Sequence, residues 1–214
     1  MNKISITNLE KARANPSKYG IELKKGPQTI NFGGGRAKSM RWHDAVLVYH
    51  DSGELTKAIS KLEQSFGNRK DTSKNRRELE DLIIALDTYV NEYNNKGYIH
   101  IDKRVSIEKQ LASQLWLSGW ACWLLNMKDK GGYSGFIITK NVDEINWMLE
   151  LRYPIIQDYI ANTIYGCNIN EVDVGVIDYT TGCHHSICYS QEDINDALEE
   201  LYEMGVTIIE ILND

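Results

Sequence analysis

No stretch of these 214 residues approaches the run of about 20 apolar residues that a membrane helix needs, so no spanning helix and no membrane partner are expected. The opening MNKISITNLEKARANPSKYG contains no apolar signal-peptide core, and secretion is not expected either. The four cysteines lack the dense spacing of a disulfide scaffold and fit a reducing compartment. There is no internal repeat and no low-complexity segment. These absences together predict a soluble, cytoplasmic protein. With 42% hydrophobic and 25% charged residues, wholesale disorder is not expected, and the length suits one domain better than two.

The net charge of −6 is unevenly distributed. Residues 1–77 carry 16 Lys/Arg against 7 Asp/Glu, net +9, whereas residues 78–214 carry 8 against 23, net −15. An acidic whole argues against indiscriminate nucleic-acid binding. A basic first third still allows one positive face.

The hydrophobic pattern predicts helices over 9–18, 36–50, 54–66 and 78–94, with Asn15-Pro16 tightening or ending the first. The segment GNRKDTSKNRR, 67–77, reads as an exposed loop. From Gly97 the period changes to that of strands, over 98–105, 111–125 and 134–140, with a turn at 128–132. A helix follows from about 143 to 165, entered late at Pro154. Strands are predicted at 171–179 and 184–189, then a helix over 191–204 that Gly205 ends, and a last strand over 206–212. The order predicts one α/β domain over 1–214, helical to about residue 96, with a mixed sheet covered by helices.

Several stretches, in this order, resemble the RecB-like branch of the PD-(D/E)XK nucleases. ISITNLEKARANPSKYG resembles that family's N-terminal signature through Ser5, Thr7, Leu9, Pro16 and Tyr19, with Asn15 where cysteine often stands. GGGRAKSMRWHDAVLVYH resembles the following helix, with His43 at the metal-ligand position. SIEKQLASQLWLSGWACWLL resembles a strand pair in which a Glu precedes Gly-x-x-Asp. Glu108 and Gly119 match there, and Cys122 stands in the Asp place. GFIITKN resembles the Asp-x-Lys-Thr strand, with Lys140 kept and Ile138 in the Asp place. YPIIQDYIANTIYG resembles the helix that carries a Gln, here Gln157.

The resemblance implies a restriction-endonuclease-like mixed central sheet flanked by helices. It also implies a catalytic centre that has decayed. Such nucleases hold Mg²⁺ or Mn²⁺ chiefly with two carboxylates, and the lysine positions or activates water. With Cys122 and Ile138 in those two places, no metal and no cofactor is expected. Mg²⁺ or Mn²⁺ returns only if Glu108, Asp143, Glu144 or Glu150 has migrated to replace the lost ligands. Some family members hold an iron–sulfur cluster on four cysteines, and Asn15 argues against one here.

Elsewhere, Cys183, His184, His185 and Cys188 suggest zinc, but strand alternation divides them between two faces. Arg69, Lys70, Lys74, Arg76 and Arg77 suit a phosphate backbone or, equally, a solvated loop. Trp116, Trp120, Trp123 and Trp147 read as core aromatics, although Trp116 and Trp120 could meet a partner surface. Gly33–Gly35 lacks the Gly-Lys-Ser/Thr ending of a phosphate loop. The expected function is a nucleic-acid-binding or assembly subunit of a phage, mobile-element or defence system, with a protein partner. The alternatives are a Mg²⁺-dependent DNA nuclease with rearranged carboxylates, and a protein–protein adaptor without nucleic-acid contact.

Overall fold

The computed structural model of the chain describes residues 2–26, 37–67, 69–142 and 146–214. Gly33–Gly35, Asp143 and Glu144 therefore lie outside the described residues. A long strand, β3 (Leu115–Lys128), organises the sheet. It pairs antiparallel with β2 (Tyr98–Ala112) along nearly its whole length. Its other edge is shared by β1 (Asn2–Ser5), parallel at Leu115–Ser118, and β4 (Tyr133–Thr139), antiparallel at Leu124–Met127. The sheet continues through β5 (Val172–Asp178), parallel to β4, and β6 (His184–Ile187), antiparallel to β5. It is the mixed sheet expected, with helices on both faces.

Two hydrophobic cores, one on each face, hold the layers together. The first lies under α1 (Leu9–Ala14), α2 (Pro16–Lys24), α6 (Arg152–Asp158) and α7 (Gln191–Asn213), and contains Ile4, Leu117, Cys122, Val174, Ile156 and Leu201. The second lies under α3 (Lys38–Ser52), α4 (Leu55–Phe66) and α5 (Ser73–Asn95), and contains Trp42, Leu62, Leu86, Leu124, Phe136 and Ile138. Alternation along each strand sends successive side chains to opposite cores, which is why one sheet serves both.

Four expectations are corrected. The predicted last strand, 206–212, is the end of α7, which runs through Gly205 without a break. That glycine suits the packing: a Cβ there would lie 3.1 Å from the Leu111 Cβ, a tight contact, because the helix rides close over β2. Ser190 and Asp193 start α7 with a reciprocal capping box, as the sequence suggests. The first helix is two, divided at Asn15, whose side chain accepts from Lys18 N and caps α2, with Pro16 at its first position.

Residues 73–77 belong to α5, because Thr72 Oγ1 accepts from Asn75 N and starts the helix five residues early. Their polar side chains face solvent in that first turn, so no apolar period marks it. Finally, Leu111 and Ala112 end β2 rather than open β3. The chain reverses at Ser113-Gln114, with Gln114 at φ +65°. β1 went unread because four residues are too few to show alternation.

Candidate nucleic-acid interface

β4 and β5 run parallel, and both chains leave the sheet at the same end. Open α/β sheets bind ligands outside the carboxyl ends of such strands. Asp178, the last residue of β5, is buried and ties both exits together. Its Oδ2 accepts from Val142 N at 3.1 Å, and its Oδ1 accepts from Thr180 N at 2.8 Å and Thr180 Oγ1 at 2.6 Å. Tyr179 N also donates to Thr139 O at 3.0 Å. These bonds fix Lys140 beside Tyr179 and Thr180.

Opposite them stands the first half of α5. Between the two runs a groove of about 560 Å³, lined by Lys38, Lys74, Arg77 and Lys140 with Glu78, Asp81, Tyr179 and Thr180. Glu78 is already engaged: its Oε2 meets Lys38 Nζ at 2.9 Å and its Oε1 meets Arg69 Nη1 at 2.9 Å. Burial opposes its ionisation, but the two cations outweigh burial and hold the carboxyl below its ordinary range. Among the described residues, Lys74, Arg77 and Lys140 take part in no ion pair and face solvent, against one uncommitted carboxylate, Asp81. The groove is therefore cationic in a protein that is acidic overall.

The five basic residues read from 67–77 divide. Lys74 and Arg77 line this groove beside Lys140. Arg69, Lys70 and Arg76 line a smaller hollow of about 250 Å³ on the other side of α5. Arg69 serves packing there, with its guanidinium 4.6 Å over the Phe66 ring and its salt bridge to Glu78. Arg76 Nε faces Asp71 at 3.4 Å.

The residues read as a decayed metal centre do not come together. Cys122 lies in the first core, where burial pushes its thiol up to about 12, and Ile138 lies in the second. β3 and β4 are neighbours, but their pairing stops at Leu124–Phe136, and register shifts interrupt the β2–β3 pairing nearby. The alternation that would have put Cys122 level with Ile138 on one face is lost there.

His43, on α3, is fully buried. Its Nε2–H donates to the Trp123 carbonyl at 3.3 Å, and its Nδ1 has no partner among the described residues. Burial pushes its pKa down to about 4. Gln157 is a structural clamp on the opposite side of the sheet. Its Nε2 donates to Ile169 O and Tyr189 O at 3.1 and 3.0 Å, and its Oε1 accepts from Tyr189 N at 2.8 Å. Glu108 faces outward from β2 and pairs with Lys3 at 3.0 Å, while Glu150 pairs with Arg152 at 2.6 Å. Neither joins Lys140 in the groove.

In the Cys183–Cys188 stretch, His184 is buried and donates through Nδ1 to Glu92 Oε2 at 3.1 Å. Among the described residues no group of three or more His, Cys, Asp or Glu side chains is placed to hold a metal. No described helix is long and apolar enough to cross a membrane.

Lys38, Glu78, Asp81, Tyr179 and Thr180 escaped the sequence reading. The signal for the last two was present, because the helix between two predicted strands implies a parallel pair with a shared carboxyl end. Lys38 and Glu78 meet only through the docking of α3 on α5, which no local pattern encodes. Neither the family models nor the curated proteins compared with this chain match it.

Proposed function

We propose that the chain binds nucleic acid along the groove between α5 and the ends of β4 and β5, without cutting it. Lys74, Arg77 and Lys140 meet successive phosphates, and Lys38 contributes from the bridge to Glu78. The observation that carries this reading is the convergence of Lys140 with Lys74 and Arg77, 63 to 66 residues away in sequence, on one solvent-open groove. Phosphate contacts of this kind give sequence-independent affinity and make it salt-dependent. The reading rests on this groove rather than on the resemblance to RecB-like nucleases, and it is compatible with a role as a subunit beside a protein partner.

The nuclease alternative is weaker on the chemistry of the donors. A hard cation asks for several oxygen ligands. Glu78 has both oxygens committed to cations, which leaves Asp81 as the groove's one uncommitted carboxylate among the described residues. The test is binding of a mixed-sequence oligonucleotide to the wild type and to Lys74→Glu/Arg77→Glu/Lys140→Glu across a salt series. The wild type should bind at low salt, and the variant should lose most affinity. Its slope of log K against log salt should flatten by about 0.7–0.9 for each phosphate contact removed. Equal binding by the two proteins would remove the groove from function. Mg²⁺- or Mn²⁺-dependent cleavage that vanishes in Lys140→Ala would make the protein an enzyme.

A further inference from the structure

On the face of the sheet that bears the second core, the half built from β1, β2 and the start of β3 is not buried under the described helices: Trp120 is exposed and Trp116 half-buried. Leu115, Leu117 and Ala121 point into the first core, so Trp116, Ser118 and Trp120 point the other way. Trp120 is 48% exposed, an unusual state for the side chain that gains most from burial. Trp116 is half-buried. Opposite them on β2 stand Gln110, Glu108 and Ser106, paired in register with Trp116, Ser118 and Trp120.

The charges around this row are mainly positive. Lys3 reaches Glu108 at 3.0 Å across Ser118, between the two indoles. Arg104 sits 5.9 Å over the ring of Trp123, which packs edge-on against His43 of α3. Lys103 pairs with Leu124, whose side chain enters the second core, so it belongs to the same face. Among the described residues on this face three cations therefore accompany one carboxylate, which is already in an ion pair, while Asp102 pairs in register with Leu125 of the first core. Lys140 also lies on this face, two residues beyond Ile138.

We infer that this open sheet face is a stacking platform for unpaired bases, and that the nucleic acid bound is single-stranded. The inference rests on the proposed function and names its ligand class. Indole faces stack on any base, and flanking cations and hydrogen-bonding side chains hold the backbone and base edges. A duplex buries its base faces and can use only the phosphate groove, whereas a single strand can use both surfaces. Four residues of extended strand separate Trp116 from Trp120, about 13 Å, so each indole serves a separate base.

The experiment compares a mixed-sequence single strand, as DNA and as RNA, with its duplex, using the whole chain and the variants Trp116→Ala, Trp120→Ala, the double variant Trp116→Ala/Trp120→Ala, and Trp120→Phe. Wild type should prefer the single strand at equal salt. Each alanine variant should lose roughly five- to 150-fold in single-strand affinity with the salt slope unchanged, and Trp120→Phe should keep most of it. Quenching of tryptophan fluorescence on single-strand binding by the wild type tests the same contact without a mutation.

If the double alanine variant binds like the wild type while the groove variant does not, the platform is refuted and the groove reading stands. If the wild type binds neither form at low salt, both fall. If the double variant instead turns a self-associating protein into a monomer with unchanged oligonucleotide affinity, the face is an interface between copies and the platform is refuted.

Discussion

Gln157 and Lys140 were both candidates for one catalytic centre, and their surroundings show how differently two such residues can be used. Lys140 follows the end of β4 in open solvent, where a cation keeps its hydration and remains available to a ligand. Gln157 is fully buried, and its amide satisfies three backbone groups of the segments around Ile169 and Tyr189. Removing one partner of a buried hydrogen bond leaves the other unsatisfied at about 1–3 kcal/mol. Gln157→Leu should therefore lower stability by about 3–5 kcal/mol in urea unfolding, while the protein that remains folded keeps its oligonucleotide affinity. A Gln157→Leu protein of wild-type stability with lost binding would return this residue to the site. Lys140→Ala should do the opposite, leaving the unfolding free energy within about 0.5 kcal/mol of wild type, as expected for an exposed surface residue, while it weakens binding.

At the scale of elements, α5 is the part on which the groove depends. Its first turn carries Lys74 and Arg77, and its middle is pressed by the turn between β5 and β6. Gly182 in that turn has φ +83°, and a Cβ there would sit 2.0 Å from Ala85 O and 2.8 Å from Tyr89 N, both backbone atoms of α5. Neither backbone can yield as a flexible side chain would. Gly182→Ala should cost about 2–4 kcal/mol, from the left-handed conformation and the overlap together. It should also weaken oligonucleotide binding by displacing α5 from Thr180 and Lys140. A variant of wild-type stability would show that the turn and the helix are not in contact.

The legibility of these elements followed their period. α5 was readable from Glu78 onward because Leu79, Leu82, Leu86 and Val90 mark one face, and unreadable before it, where Thr72 alone signals the start. The end of α7 deceived for the converse reason. Val206, Thr207, Ile208 and Ile209 are β-branched and follow a glycine, yet packing on β2 overrides both signals. The basic groove was half legible. Lys74, Arg77 and Lys140 stood out by type, but only the parallel pairing of β4 with β5 and the docking of α5 bring them together.

For the whole molecule, four of the five histidines lie between the α3–α5 layer and the sheet. His50 and His100 are stacked with ring centroids 4.3 Å apart, and His50 Nε2 and the Tyr89 hydroxyl share a 2.7 Å hydrogen bond. His184 stacks on Tyr89 at 4.8 Å. Burial pushes the pKa of His50 down to about 3 and those of His43 and His184 down to about 4, with the Glu92 carboxylate partly opposing the shift at His184.

The folded protein therefore keeps these rings neutral in a range where the unfolded chain, with histidines near 6.5, takes up protons. More protons on the unfolded state means that stability rises with pH there. The contribution is fully present above about pH 6.5 and is lost progressively as pH falls from 6.5 towards 4. Between pH 7 and pH 5 the three histidines together should remove about 3–5 kcal/mol. Urea unfolding at the two pH values measures this, and equal stability at both would refute the buried neutral cluster. His43→Gln, which keeps a donor for the Trp123 carbonyl, should reduce the loss by about a third. The groove draws Lys38, Lys74 and Arg77 from the helical layer and Lys140 from the sheet. Acid that separates the two layers must then abolish oligonucleotide binding in step with unfolding, although lower pH alone would strengthen cation–phosphate attraction. Binding that grows steadily down to pH 4 would show that the cations do not depend on the docked layers.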